Sequence, residues 1–459
     1  MKVVGKSGMN SITVFGGANE IGGNKILVED RDTKVFLDFG EPFGMKDDFF
    51  IDWLTPRDRF GLRDYFFFDL LPRIDGLYDA DWLEGTDLKY SRPCFDAVFV
   101  SHMHFDHAMH LKFADAKIPV HLGAAADAIR RSWVATGGKN VDFGGHPFHP
   151  FRTGSKIKVN SMEFEPIHVD HSTPGAYGFL VHTPDGCIAY TGDLRLHGPR
   201  SDMTREFVSR AAAEKPIALI CEGTRVTESD PREGLSEKDV EEKARKLVTA
   251  NKKLAIVSFY PKDVDRMRTF RDIAKATGRR FVVSAKVANL LESLKHDKNI
   301  VVPDPMEEPH MLVYVRKMDR PLAYEKEYID MRRSSDHVVD SSFVHDNQRR
   351  LIYHTDFMQL TELVDIHPEP GSLFIRSKSE PFEEDDKQED VLKNWIEWLK
   401  LDFHQAHASG HASMEEIFSI VREIRPKVVI PVHTEHPDFF SRCSSSVSCP
   451  MPMRRMDLH

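Results

Sequence analysis

Short apolar runs recur along the first two hundred residues, each closed by a Gly, Pro or Asp turn. Phe36-Leu37-Asp38, Val98-Phe99-Val100, Pro119-Val120-His121-Leu122 and Ile188-Ala189-Tyr190 are of this kind. Runs of this length rich in β-branched and aromatic residues predict strands, and their spacing predicts a mostly antiparallel sandwich flanked by helices. Met45 to Tyr90 interrupts the pattern with Phe, Trp, Tyr, Asp and Arg. It reads as an insertion packing over the entrance to the site that the sandwich carries. Its aromatics either bury that long loop, the commoner use, or stack bases.

From about residue 225 the period changes. Ser236 to Thr249 places acids first and bases later, as the helix dipole favours. Leu254 to Phe259 predicts a buried strand, Asp263 to Thr277 a helix and Arg280 to Val283 another strand, an alternation that implies a parallel α/β unit. Met414 to Ile424 predicts a helix, followed by the strand Val428-Val429-Ile430-Pro431-Val432. Ser441 to His459, with Ser444-Ser445-Ser446 and no periodicity, reads as a disordered tail. At 459 residues, two domains are the default.

The net charge of −10 and the 29% of charged residues give no global pull towards nucleic acid, so any RNA site must be local. The basic clusters are Arg266, Arg268 and Arg271, then Arg279 and Arg280, Arg332 and Arg333, and Arg349 and Arg350; a solvated helix face is the commoner fate of each. Five cysteines form no CxxC pair, and three lie within or beside apolar runs, as free thiols do in a reducing cytoplasm. Neither a signal-peptide core nor an apolar run approaching 18 residues is evident, so secretion and membrane spanning lack support.

Ser101-His102-Met103-His104-Phe105-Asp106-His107 follows the apolar run ending at Val100 and delivers three imidazoles and a carboxylate at the end of a buried strand. Alternate residues of a loop leaving a strand point the same way, so His102 and His104 can grip one ion while Asp106 and His107, past the corner, reach a second. Two divalent ions about 3.5–4 Å apart activate water and clamp the oxygens of a phosphoryl or carbonyl centre. Three later strand ends offer more donors: His171 in Ile167 to Ala176, Asp193 in Cys187 to Leu194, and His433 in Val428 to Glu435. Taken singly, each is more often a loop residue satisfied by backbone; seven candidate ligands at strand ends outweigh that reading.

The series HxHxDH, later His, later Asp and final His resembles the metallo-β-lactamase superfamily. The resemblance implies His102, His104 and His171 as ligands of one ion, Asp106, His107 and His433 as ligands of the other, and Asp193 as the bridge. Phe15 to Asn24 with Val35 to Gly40 looks like the opening hairpin of the β-CASP nucleases, especially their ribonuclease J branch. Glu222 in Ile217 to Thr224, His411 in His407 to Ser413, and His433 match three further β-CASP marks. The implied fold is an αββα sandwich with an inserted parallel α/β domain. Its first part would span residues 1–224, the β-CASP domain 225–400, the sandwich return 401–440 and the tail 441–459.

The implied activity is metal-dependent hydrolysis of RNA phosphodiester bonds by 5′-exonuclease action, with or without endonuclease action. Asp106 would orient the attacking nucleophile, and Glu222 with His411 would protonate the leaving oxygen. A 5′-monophosphate pocket is expected near His407, Ser409 and the loop from Ser372 to Glu380; where the family prefers glycines, this chain offers Arg376 and Lys378 as phosphate ligands. Zinc is the expected metal and manganese the alternative, since imidazole and carboxylate accept both. Single-stranded RNA is the expected partner and DNA the alternative, while the sequence lends no support to a homo-oligomer. The rival function is a small-molecule hydrolase acting on a lactam, lactone or thioester, against which the inserted domain argues by its size.

Overall fold

The structure, a computed structural model, describes residues 10–43, 48–50, 54–138, 141–230, 234–297, 300–332, 334–379 and 387–458. Arg333 and the end of the Ser372 to Glu380 loop, at Glu380, lie outside them. Two sheets face one another. The first orders β20 (Arg455–Asp457), β1 (Ser11–Gly16), β2 (Lys25–Asp30), β3 (Thr33–Leu37), β4 (Ala97–Val100), β5 (Val120–Gly123) and β6 (Phe148–Phe151). The second orders β19 (Val429–Val432), β11 (Ala218–Glu222), β10 (Gly186–Tyr190), β9 (Tyr177–Thr183), β8 (Met162–His168) and β7 (Ile157–Val159).

Alternation places Ile12, Val14, Val35, Leu37 and Phe99 of the first sheet against Phe164, Phe179, Ile188, Ile220 and Ile430 of the second, all fully buried. Phe99 stacks on Phe164 with ring centroids 3.9 Å apart. Each such side chain contributes about 1.5–3 kcal/mol by leaving water. The sandwich is mixed rather than mostly antiparallel: β3 to β6 run parallel, as do β10, β11 and β19. Parallel strands need crossover connections, and the connection after β4 carries the His102 to His107 loop before its chain returns as β5.

A third sheet, wholly parallel, orders β15 (Val338–Val339), β14 (Met311–Tyr314), β13 (Arg280–Ser284), β16 (Leu351–Thr355), β12 (Ala255–Ser258), β17 (Leu373–Arg376) and β18 (Asp402–Gln405). Its helices Glu237–Ala250, Val264–Ala276 and Ala285–Lys295 share one buried cluster with the outer face of the first sheet and with Phe50, Leu62, Tyr65 and Phe66 of the aromatic insertion. Among the described residues, no helix is long and apolar enough to cross a membrane.

The segment that composition reads as a disordered tail is ordered. Arg455 to Asp457 pair antiparallel with Thr13 to Ser11, and Arg455 reaches Glu29 at 3.1 Å. The tail thus covers the edge that β1 would otherwise leave open. One arginine in each of two basic clusters is likewise not a surface charge: Arg266 is fully buried against Glu237, and Arg279 is buried with its guanidinium donating to the carbonyls of Lys253, Leu351 and Val248.

Candidate metal centre

The loop after β4 is shaped by its neighbours. Asn24 N–H donates to Asp106 O, Phe39 N–H to His107 O and Glu41 N–H to Phe105 O. Gly40 passes so close that a Cβ there would lie 1.7 Å from Asp106 O. Only glycine fits, and the opening hairpin thereby becomes a mould for the loop. Phe105–Ala108 then forms a single helical turn that aims Asp106 and His107 inwards.

The seven expected ligands converge in two groups sharing Asp193, and within each group one donor atom per residue lies within 4.8 Å of the others. In the first, His104 Nδ1 lies 2.9 Å from His102 Nε2 and 3.1 Å from His171 Nε2. In the second, Asp106 Oδ2 lies 2.9 Å from His433 Nε2 and 3.4 Å from His107 Nε2. Asp193 Oδ2 is 3.5 Å from His102 Nε2 and 3.1 Å from His107 Nε2.

The far ring nitrogens are anchored. His102 Nδ1 meets Ser101 Oγ at 3.1 Å, His107 Nδ1 meets Asp38 at 2.8 Å, His171 Nδ1 meets Gly410 O at 2.6 Å and His433 Nδ1 meets Thr224 Oγ at 2.8 Å. Such partners fix the tautomer and point each Nε2 lone pair into the site. Burial and neighbouring groups push His102 and His104 well below the usual imidazole range and His171 to about 3, so these three are neutral, as ligands must be. Burial opposes charge on His107 and His433 too, but Asp193 and Asp106 overcome it, raising His107 well up and His433 to about 8. Both oxygens of buried Asp193, and His107 Nε2, lack a hydrogen-bond partner among the described residues. His107 faces Asp193 at 3.1 Å without the alignment of a hydrogen bond; a buried carboxylate held only by such contacts is costly, and divalent cations between the two groups fit this donor set.

Glu222 and His411 also meet, with His411 Nδ1 3.0 Å from Glu222 Oε2 and 3.9 Å from Asp193 Oδ2. Glu222 further accepts from Leu194 N–H and from the Thr224 N–H and Oγ–H, so a carboxylate suits its place. The four residues expected to hold a 5′-phosphate stand differently. Arg376 is buried with its guanidinium on Glu389 and the Ser379 carbonyl. His407, pushed to about 3 by burial and Arg266, lies 3.3 Å from Ser377 O. Ser409 Oγ accepts from His411 N–H at 3.1 Å, and half-buried Lys378 gives its carbonyl to Gln405. Arg376 is thus turned to Glu389, on the helix Lys387–Trp398, rather than presented to a ligand.

Three contributors were not singled out from sequence. Asp38 accepts from Ser101 N–H, Ser101 Oγ–H and Tyr190 O–H as well as from His107; its place in the Val35 to Gly40 run was the available signal. Arg195, fully buried, bridges Asp170 beside His171 to Glu237, and Arg266 holds Glu237 from the other side. Lys262, from the loop after β12, reaches the ligand loop and places Nζ 3.4 Å from Met103 O. Burial pushes its ammonium well below the usual range against the pull of Asp106.

A family model described as a beta-lactamase superfamily domain matches residues 81–257, and one described as a Zn-dependent metallo-hydrolase RNA specificity domain matches residues 398–439. Ribonuclease J of Sinorhizobium meliloti is 22% identical over 361 residues, covering 76% of this chain and 59% of that protein. Ribonuclease J of Mycobacterium tuberculosis is 26% identical over 62% of this chain and 46% of its own length, so the chain spans about half the length of these relatives. Ribonuclease J 1 of Streptococcus pyogenes is 23% identical over 93% of this chain and 69% of its own. A solved structure of a protein of unknown function from Enterococcus faecalis V583 shares the fold, with a TM-score of 0.76 and 24% identity over 98% of this chain and 100% of that one. Donor loop, inserted parallel sheet and these matches together make the chain similar to the metallo-β-lactamase superfamily and, within it, to β-CASP proteins of the ribonuclease J-like kind.

Proposed function

We propose that this protein is a two-metal phosphodiesterase that hydrolyses single-stranded RNA. The observation that carries the reading is Asp193, whose two buried, unbonded oxygens lie among the donors of both groups. His102, His104 and His171 would hold one ion, Asp106, His107 and His433 the other, with Asp193 shared. Zinc, or manganese as the alternative, would supply Lewis acidity to an attacking water and positive charge to the phosphoryl oxygens.

The chain's own groups do the rest. Asp106, fixed by His433, orients the attacking water and accepts its hydrogen bond. Glu222 holds His411 by Nδ1–H, leaving Nε2 to deliver a proton to the departing oxygen. Burial of the Arg195, Glu237 and Arg266 charges joins the sandwich, whose edge β20 completes, to an inserted domain that ends not at residue 400 but past β18 at Gln405, because β18 pairs with β17 in the third sheet. An insert of that size suits a polymer better than a lactone or thioester. The Arg376–Glu389 pair favours cleavage that does not require a 5′-monophosphate.

The test is a substrate panel: internally labelled RNA with 5′-hydroxyl and 5′-monophosphate ends, single-stranded DNA, nitrocefin, a lactone and a thioester. RNA cleavage at equal rates for the two 5′ ends is expected. Turnover confined to the small esters would overturn the proposal.

A further inference from the structure

Phe105 stands between His104 and Asp106, yet the residue is 42% exposed. It lies 4.6 Å, centroid to centroid, from Trp133 at a tilt of 42°. Lys262 enters from the third sheet and lays Nζ 3.4 Å from the Trp133 centroid and 4.9 Å from that of Phe105. Its one hydrogen bond among the described residues is the 3.4 Å contact to Met103 O, and no carboxylate there pairs with it. An ammonium in such a place ordinarily has an anionic partner. Lys286, at the start of the helix Ala285–Lys295, adds a second positive charge to its surroundings. An exposed ring beside a lysine whose charge burial disfavours until an anion joins it matches the two parts of a nucleotide, a base and its phosphate.

We propose that Phe105 and Lys262 form a nucleotide-gripping step at the lip of the metal centre, where a base next to the scissile bond stacks on Phe105 and its phosphate meets the Lys262 ammonium. The placement beside a scissile bond rests on the RNA-hydrolysing reading above; the grip itself does not. Trp133, 7% exposed, backs the Lys262 side chain with its ring.

The experiment measures binding of a short single-stranded RNA, and of the same RNA carrying single abasic positions, to the full chain and to Phe105→Leu, Lys262→Gln and Lys262→Arg. Metal content and thermal midpoint are measured on each. Phe105→Leu should weaken binding roughly 5- to 100-fold and remove the wild-type penalty for one particular abasic position. Lys262→Gln should lower the slope of log affinity against log salt by about 0.7, and Lys262→Arg should restore it; a purely structural lysine would move the midpoint and leave the slope. Wild-type slope and affinity in Phe105→Leu and Lys262→Gln would overturn the grip, even if RNA is cleaved. Loss of binding in these variants, with RNA left uncleaved by the wild type, would uphold the grip and overturn the hydrolytic reading. Failure of the wild type to bind the RNA would overturn the grip.

Discussion

Replacing Asp38 with Asn should loosen metal binding while sparing the fold. Asp38 is fully buried. Its Oδ1 accepts from Ser101 N–H at 2.6 Å, and its Oδ2 accepts from Ser101 Oγ at 2.8 Å, Tyr190 Oη at 2.6 Å and His107 Nδ1 at 2.8 Å. Its φ of 59° suits Asn at least as well as Asp, so the backbone gains no strain. An amide must turn NH2 to one side. Facing Oδ2 it would meet three donors, so it faces the Ser101 N–H, forfeiting that bond at about 1–3 kcal/mol. His107 then leans on a neutral oxygen. Partners of this kind are typically worth 10- to 100-fold in metal affinity, or about 1.4–2.8 kcal/mol. Asp38→Ala should be worse, losing all four bonds and adding about 1–2 kcal/mol of left-handed strain. Zinc competition with a fluorescent chelator measures the affinity, and urea unfolding the stability. An Asn variant that binds zinc like the wild type would refute the claim that Asp38 orients His107.

His411→Ala should lower RNA turnover by about 10²- to 10⁴-fold with metal content near wild type; loss of metal would make His411 a ligand instead. Burial would raise the Glu237 carboxyl, yet Arg266 and Arg195 bring it down to about 2 from 4.5. Its stabilising contribution, roughly 3 kcal/mol by linkage, is therefore complete above about pH 4.5 and disappears as pH falls towards 2. The gap in stability between wild type and Glu237→Gln, followed by denaturant titration from pH 6 to pH 2, should close in that window; a gap independent of pH would contradict the assignment. Removing residues 443–459 should lower stability by at least about 2 kcal/mol through lost strand hydrogen bonds, read from the urea midpoint, and an unchanged midpoint would show that β20 adds nothing.

The ligand loop was legible because its donors and the strand that delivers them are contiguous, and the helix Met414–Ile424 because its apolar face repeats at helical spacing. The relative direction of the strands was not, since Val98-Phe99-Val100 reads alike beside a parallel or an antiparallel neighbour. β20 was illegible for a related reason: Arg455 to Asp457 become a strand only against the distant edge of β1. Arg376 looked like a phosphate ligand, and Arg266 like part of a surface basic cluster, because Glu389 and Glu237, 13 and 29 residues away, are brought to them by folding alone. Asp38 shows the same limit, its four donors coming from residues 63 to 152 positions further along.

Cleavage of internally labelled single-stranded RNA by metal-stripped protein, titrated with zinc and separately with manganese, tests the central claim most directly, with Asp193→Asn carried in parallel. Cleavage that is absent without metal, returns with added ion and stays absent in Asp193→Asn is the predicted result. RNA left intact by metal-loaded wild type, or cleaved equally by Asp193→Asn, would contradict it.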